Sequence, residues 1–397
     1  MRKTGSPRPI TPPKTKSSAP YKAIVYISLS GGVDSFNILT PGPDCALYTE
    51  YMEARGMGES NVGLKIDEIL PIDGSSAGIS QCDTLGVNKL LSAYKDIFDE
   101  GSGVFFANMG LVTIIFSIFR LQCIFPHHTC ISFALSHLHK PVTKKNWLTE
   151  TRTDLFSHHS MRAEAQVVDA FREGDGPGVL GRMLDILEVH GHAVGATAVN
   201  ARVSMIDGSP KTGRLADVVS SEGVLRIRDK SFLKGDSQQL REFLNSLHAE
   251  TSGNSGVFGN AWSQAFVDIW NKTDALAEKI NNMNLVTPYK TPAELNAGGI
   301  SSQLAMVAKL IRLKDQRGKG INRDVFYCEM GGFDSHFHLA EVLNAKLPSL
   351  NHAVATFWAE IKAQGMASNV VVIQASEFGR TITPNSNWVS SRYITTS

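Results

Sequence analysis

The segment EMGGFDSHFHL, Glu329 to Leu339, places Asp334, His336 and His338 two residues apart, directly beyond the apolar run DVFYCEM. In extended backbone, residues i, i+2 and i+4 project to one side, so a carboxylate and an imidazole there can share a metal ion. Aspartate oxygen and imidazole nitrogen suit zinc, and carboxylates also suit manganese, magnesium or calcium. The plainer reading is the polar face of an ordinary strand. His338 falls where the chain is expected to turn into a helix and stands as a secondary candidate.

Two other apolar runs end in the same way. YKAIVYISLS leads into SGGVDSFN with Asp34, and NVVVIQ leads into ASEFGRT with Glu377 and Arg380. One acidic residue past a strand is commonly a helix cap. Three such ends, two of them at Gly-Gly turns, point to a shared site, because open α/β sheets form sites beyond the carboxyl ends of their strands. Asp34, Asp334, His336 and Glu377 are therefore the metal-ligand candidates. Arg380, with its planar fork of donors, is the candidate clamp for an anionic ester; its plainer role is an ion pair or a solvated arginine. FSHHSM, Phe156 to Met161, sets Ser157, His158, His159 and Ser160 at a predicted helix start. Ser157 and Ser160 are candidate nucleophiles, activated by metal or by a nearby histidine, with a plain N-cap as the competing role.

The elements that must position these residues follow from periodicity. Tyr21–Ser30 reads as a buried strand, and GVFFANMG, DVFYCEM and the β-branched NVVVIQASEFGR as further strands. VNKLLSAYKDIFDEG, SMRAEAQVVDAFREGD, GVLGRMLDILEVHG, AWSQAFVDIWNKTDALAEKINNM, SSQLAMVAKLIRLKDQ and AVATFWAEIKAQG read as helices. Strands alternating with helices predict an α/β fold, a mainly parallel sheet covered on both faces.

Across 397 residues, 42% are hydrophobic and 19% charged, as in globular proteins. The formal net charge of +1 gives no reason to expect a nucleic-acid partner. Five cysteines, Cys45, Cys82, Cys123, Cys130 and Cys328, form no CxxC pair, so neither a zinc ribbon nor a disulfide framework is indicated. Cys328 is expected to pack as a small hydrophobe. Residues 1–20 read as a disordered basic arm rich in Pro and Ser, not a secretory signal. The sequon WNKT at Asn271 is weak support for secretion. Leu111 to Lys140 is apolar without periodicity, and Arg120 and Pro126 interrupt it too much for a membrane span. Its histidines, His127, His128, His137 and His139, have no fixed ligand spacing.

SGGVDSFN, ILPIDG, FSHHSM, GGFDSH and SEFGRT, in this order, resemble the domain of unknown function 1501 family of the alkaline-phosphatase-like superfamily, over most of Tyr21 to Asn387. The resemblance implies an α/β/α sandwich in one domain, residues 21–387, with one or two divalent metals at strand ends. It implies metal-ligand positions at Asp34, Asp334 and His336, with Glu377 and Arg380 at the motif's acidic and basic positions. It also implies export, although this chain shows no signal. Two features depart from the family. The expected GTDHG motif is replaced by TPNSNWVSSRYITTS, making 388–397 a non-family tail, and 111–140 interrupts a join between ANMG and KPVTKKN. Both are expected to be intron sequence read as protein, leaving the chain inactive or poorly folded as written.

The leading expectation is a metal-dependent hydrolase of phosphate or sulfate esters, acting on a small-molecule or glycan ester. The runner-up is a non-catalytic exported or surface protein that uses the fold to bind glycans or partners. A third reading, nucleotide binding, rests on the likeness of LSGGVDS to the SGGxDS pyrophosphate loop, which stands alone in this chain.

Overall fold

The computed structural model of the chain describes residues 19–56, 62–75, 82–106, 157–168, 176–221, 242–243, 246–248, 256–287, 299–317, 320–384 and 390–392. Expectations for residues 1–18, for 111–140 and for most of 388–397 lie outside the described residues.

In chain order the strands are β1 Lys22–Leu29, β2 Leu39–Pro41, β3 Ile69–Asp73, β4 Thr84–Asn88, β5 Val194–Val199, β6 Asp217–Val219, β7 Arg323–Met330, β8 Val370–Ala375, β9 Arg380–Pro384 and β10 Ser390–Arg392. The longer helices are α1 Leu47–Arg55, α2 Ser92–Asp99, α3 His158–Val167, α4 Val179–Val189, α5 Gly256–Asn281, α6 Ile300–Arg312 and α7 Leu339–Ala363.

Among the described residues, the central sheet has five strands in the order β6–β5–β7–β1–β8, and every pairing is parallel. This is the α/β sandwich expected from the alternation of strands and helices. On β1, Ala23, Val25, Ile27 and Leu29 are buried on one face. They join Leu304 and Val307 of α6 with Leu347, Ala353 and Phe357 of α7 in the larger core. The other face packs Leu180 and Leu184 of α4 on Ala196, Ala198, Val325 and Tyr327. Strand β7 is thus covered on both sides, which is why VFYC, Val325 to Cys328, is apolar without alternation. Cys328 is fully buried and free, as its setting in that run requires.

Beside the sheet, β2, β4 and β3 form a small antiparallel sheet that contains most of ILPIDG. Here the structure corrects the cysteine reading. Cys45 and Cys82 are joined in a disulfide with Cα atoms 5.1 Å apart. Their 37-residue separation hides a contact made only when β2 and β4 pair. The described part of GVFFANMG, residues 103–106, is also not a strand. His338 adopts the left-handed conformation at φ 54° and opens α7, which continues through Pro348 and so starts well before AVATFWAEIKAQG. No helix among the described residues is long and apolar enough to cross a membrane.

The disulfide closes a long loop, and its removal through Cys45→Ser with Cys82→Ser is expected to lower unfolding free energy by about 2–4 kcal/mol. Denaturant titration of variant and parent checks this. Equal midpoints would show that the bridge constrains nothing.

Candidate functional site

Because β7, β1 and β8 are neighbours, the segments that follow Met330, Leu29 and Ala375 leave the sheet side by side. Glycine allows them to touch. Gly31 and Gly32 have φ of +122° and +70°, a region that side chains rarely adopt. A Cβ on Gly31 would collide with the Asp334 amide nitrogen, and one on Gly32 with the Phe378 ring.

Arg380 ties these turns together. Its side chain is 2% exposed. Nε donates to Gly32 O at 2.5 Å and Nη1 to Ser335 O at 3.3 Å. Nη2 reaches Gly31 O at 2.9 Å, Phe333 O at 3.2 Å and Asp334 Oδ1 at 3.2 Å. The donors of Arg380 thus face backbone carbonyls on two strand-end turns and the Asp334 carboxylate, which gives it the geometry of a structural strut.

Asp34 also takes a structural place. Its Oδ2 meets Arg55 Nη2 at 2.7 Å, with both side chains fully buried. Its carboxylate also accepts from the Phe36 amide and the Asn37 side chain. Arg55, the last residue of α1, donates onward to Ile382 O of β9 and Val62 O. The expected ligand Asp34 is thus the anionic half of a buried ion pair.

Asp334, His336 and Glu377 do come together, through a residue not picked as a ligand from sequence. His158, the first residue of α3, places Nδ1 2.9 Å from Glu377 Oε1 and Nε2 3.1 Å from Asp334 Oδ1. His336 Nε2 lies 3.1 Å from the same Asp334 oxygen and 3.2 Å from Oδ2. Glu377 is buried and also accepts from the Gly31 amide at 2.8 Å and the Ser376 hydroxyl at 3.0 Å. The His158 ring packs against Phe378 at 4.8 Å between centroids. The signal for His158 was the histidine doublet of FSHHSM, next to a serine that caps the helix.

Ser157 is that cap. Its hydroxyl oxygen accepts from the Ser160 amide at 3.3 Å, which is the plainer of its two expected roles. No hydrogen bond of the Ser160 hydroxyl is found among the described residues. His338 turns away to Glu341, 3.3 Å from Nδ1.

Among the described residues, no three His, Cys, Asp or Glu side chains already enclose a metal position. The donor chemistry nevertheless fits a divalent ion. His158 Nε2 is buried, makes no hydrogen bond among the described residues, and faces Asp334 Oδ1 at 3.1 Å. Asp334 and His336 are 36% and 58% exposed and have room to turn.

Burial alone would raise the Glu377 carboxyl, but hydrogen bonds from His158, from backbone amides and from Ser376 outweigh it and hold the group below its usual 4.5. Burial, reinforced by the Glu377 charge, pushes Tyr26 up to about 12.

These features define the class: a doubly covered parallel α/β sheet with a His–Asp–Glu crevice at the ends of three adjacent strands. Residues 273–389 match the family model described as Protein of unknown function (DUF1501). That stretch carries Asp334, His336, Glu377 and Arg380, while His158 and Asp34 lie outside it. No curated protein and no solved structure matches the chain.

Two predictions follow from these contacts. Arg55→Met leaves the Asp34 carboxylate buried and unpaired, and is expected to cost about 3–5 kcal/mol of stability; a loss below about 1 kcal/mol by denaturant titration, the range of an exposed pair, contradicts the pairing. The depressed Glu377 carboxyl contributes stability above its unfolded value of 4.5, lost as pH falls through the lower folded value. The metal-free protein should therefore lose melting temperature below about pH 4.5, less steeply in Glu377→Gln. Parallel curves would refute the assignment.

Proposed function

We propose that the crevice is a divalent-metal centre and that the protein hydrolyses phosphate or sulfate esters of a small-molecule or glycan substrate, in the manner of the alkaline-phosphatase-like superfamily. His158 carries this reading. Buried polar atoms normally make a hydrogen bond; His158 Nε2 makes none, yet it faces the Asp334 carboxylate at 3.1 Å and is fixed from behind by Glu377, as a metal-ligating imidazole would be.

His158, Asp334 and His336 would hold the ion, a set of two imidazole nitrogens and a carboxylate that suits zinc first and manganese next. Glu377, committed to His158 Nδ1 and the Gly31 amide, orients the ring; carboxylates behind ligating histidines commonly do this. When bound, such an ion supplies Lewis-acid polarisation of an ester oxygen. Arg380 keeps Asp334 at the mouth of the crevice by fixing the turn on either side of it. Of the two serines, Ser160 is the better nucleophile candidate, because the Ser157 hydroxyl already caps the helix.

The test is metal content of the purified chain and zinc affinity by competition with a chromophoric chelator. One equivalent is expected in the parent and none in His158→Ala or Asp334→Ala, while Glu377→Gln should weaken binding about 10–100-fold. Unchanged metal in both alanine variants refutes the centre. Stoichiometric metal without hydrolysis of aryl phosphate or aryl sulfate would favour a non-catalytic binding protein on the same fold.

A further inference from the structure

We infer that Arg162, and not Arg380, is the cation that receives the phosphate or sulfate group in this crevice, an assignment that rests on the hydrolase reading above. Helix α3 starts at His158, and Arg162 lies four residues on, so both project from one helical face about one turn apart. His158 reaches the segments beyond β7 and β8. Arg162 Nη2 reaches Glu329 Oε1, 3.1 Å away, on the penultimate residue of β7. Both side chains therefore meet the same end of the sheet.

Glu329 is a fixed anchor for this arginine. Strand β5 pairs with β7 only as far as Tyr327, and beyond that point Gln303 of α6 takes over the β7 backbone. Its side chain accepts from the Glu329 amide at 2.9 Å and donates to the Glu329 carbonyl at 2.8 Å. Glu329 Oε2 accepts from the Tyr327 hydroxyl at 3.2 Å, and burial keeps that phenol protonated by pushing it well up. A carboxylate held from its backbone and from one oxygen aims the guanidinium through the other.

The contrast with Arg380 decides which arginine is available. Arg380 is 2% exposed with its donors on carbonyls, whereas the Arg162 side chain is 40% exposed. Among the described residues only Nη2 of Arg162 has a partner, and the rest of its fork is open to an oxyanion. Guanidinium groups bind phosphate and sulfate through paired N–H donors. An ion pair this exposed contributes little to folding, so removing Arg162 leaves a protein whose binding can be measured.

The experiment is calorimetric titration of the full-length chain with inorganic phosphate and with sulfate, metal-free and zinc-loaded. Arg162→Gln should weaken anion binding about tenfold or more, as loss of a charge-assisted contact does. Arg162→Lys should recover only part of it. Arg202→Gln, at an exposed pair with Asp207, should change nothing. Anion affinity equal in parent and Arg162→Gln overturns the inference, as does a parent that binds neither anion. If zinc binding still depends on His158 in either case, the metal centre survives and Arg162 alone is lost; if zinc does not bind, the hydrolase reading falls separately.

Discussion

One buried guanidinium organises the site. Arg380 collects the carbonyls of Gly31, Gly32, Phe333 and Ser335, and so joins the turn after β1 to the turn after β7. Those carbonyls lie beyond the last ladder bonds of their strands, where peptide groups need other partners. A planar cation with several diverging donors satisfies them together, which one amide or hydroxyl could not. The pairing also demands Gly31 and Gly32, because the two turns approach too closely for a Cβ. Asp334 is placed by this contact.

Each acidic group at the strand ends then acquires a different role from its surroundings. Asp34 faces Arg55 in full burial and becomes structural; such a pair is costly to break because the remaining charge has no water. Glu377 is also buried but meets the His158 ring, the Ser376 hydroxyl and the Gly31 amide, so it serves as an acceptor that orients His158. Asp334 is half-exposed and shared by Arg380, His158 and His336, which suits it to exchange one of these contacts for a ligand. Acidic residues at three comparable strand ends thus give a buried ion-pair partner, an orienter and a candidate ligand.

Much of this was legible in the sequence because it depends on local pattern. The apolar runs of β1, β7 and β8, the first two ending in Gly-Gly turns, marked the parallel sheet and the acidic groups beyond its strand ends. Spacing alone put His336 beside Asp334. The rest depends on contacts between distant residues. His158 and Glu377 are 219 positions apart, and only the histidine doublet beside a capping serine marked the former. Cys45 and Cys82 meet because short strands pair, β2 and β3 each carrying a proline that weakens the strand signal. For Arg380 and Asp34, sequence supplied the charge, while burial decided that they bind the protein itself.

The central claim is that His158, Asp334 and His336 form one metal centre. It is tested most directly by a crystal structure of the zinc-loaded chain with anomalous data at the zinc edge. The account predicts a single strong peak within bonding distance, about 2.0–2.2 Å, of His158 Nε2, His336 Nε2 and an Asp334 oxygen, with His158 Nδ1 still on Glu377. A zinc-saturated crystal with no peak at these three residues would contradict it.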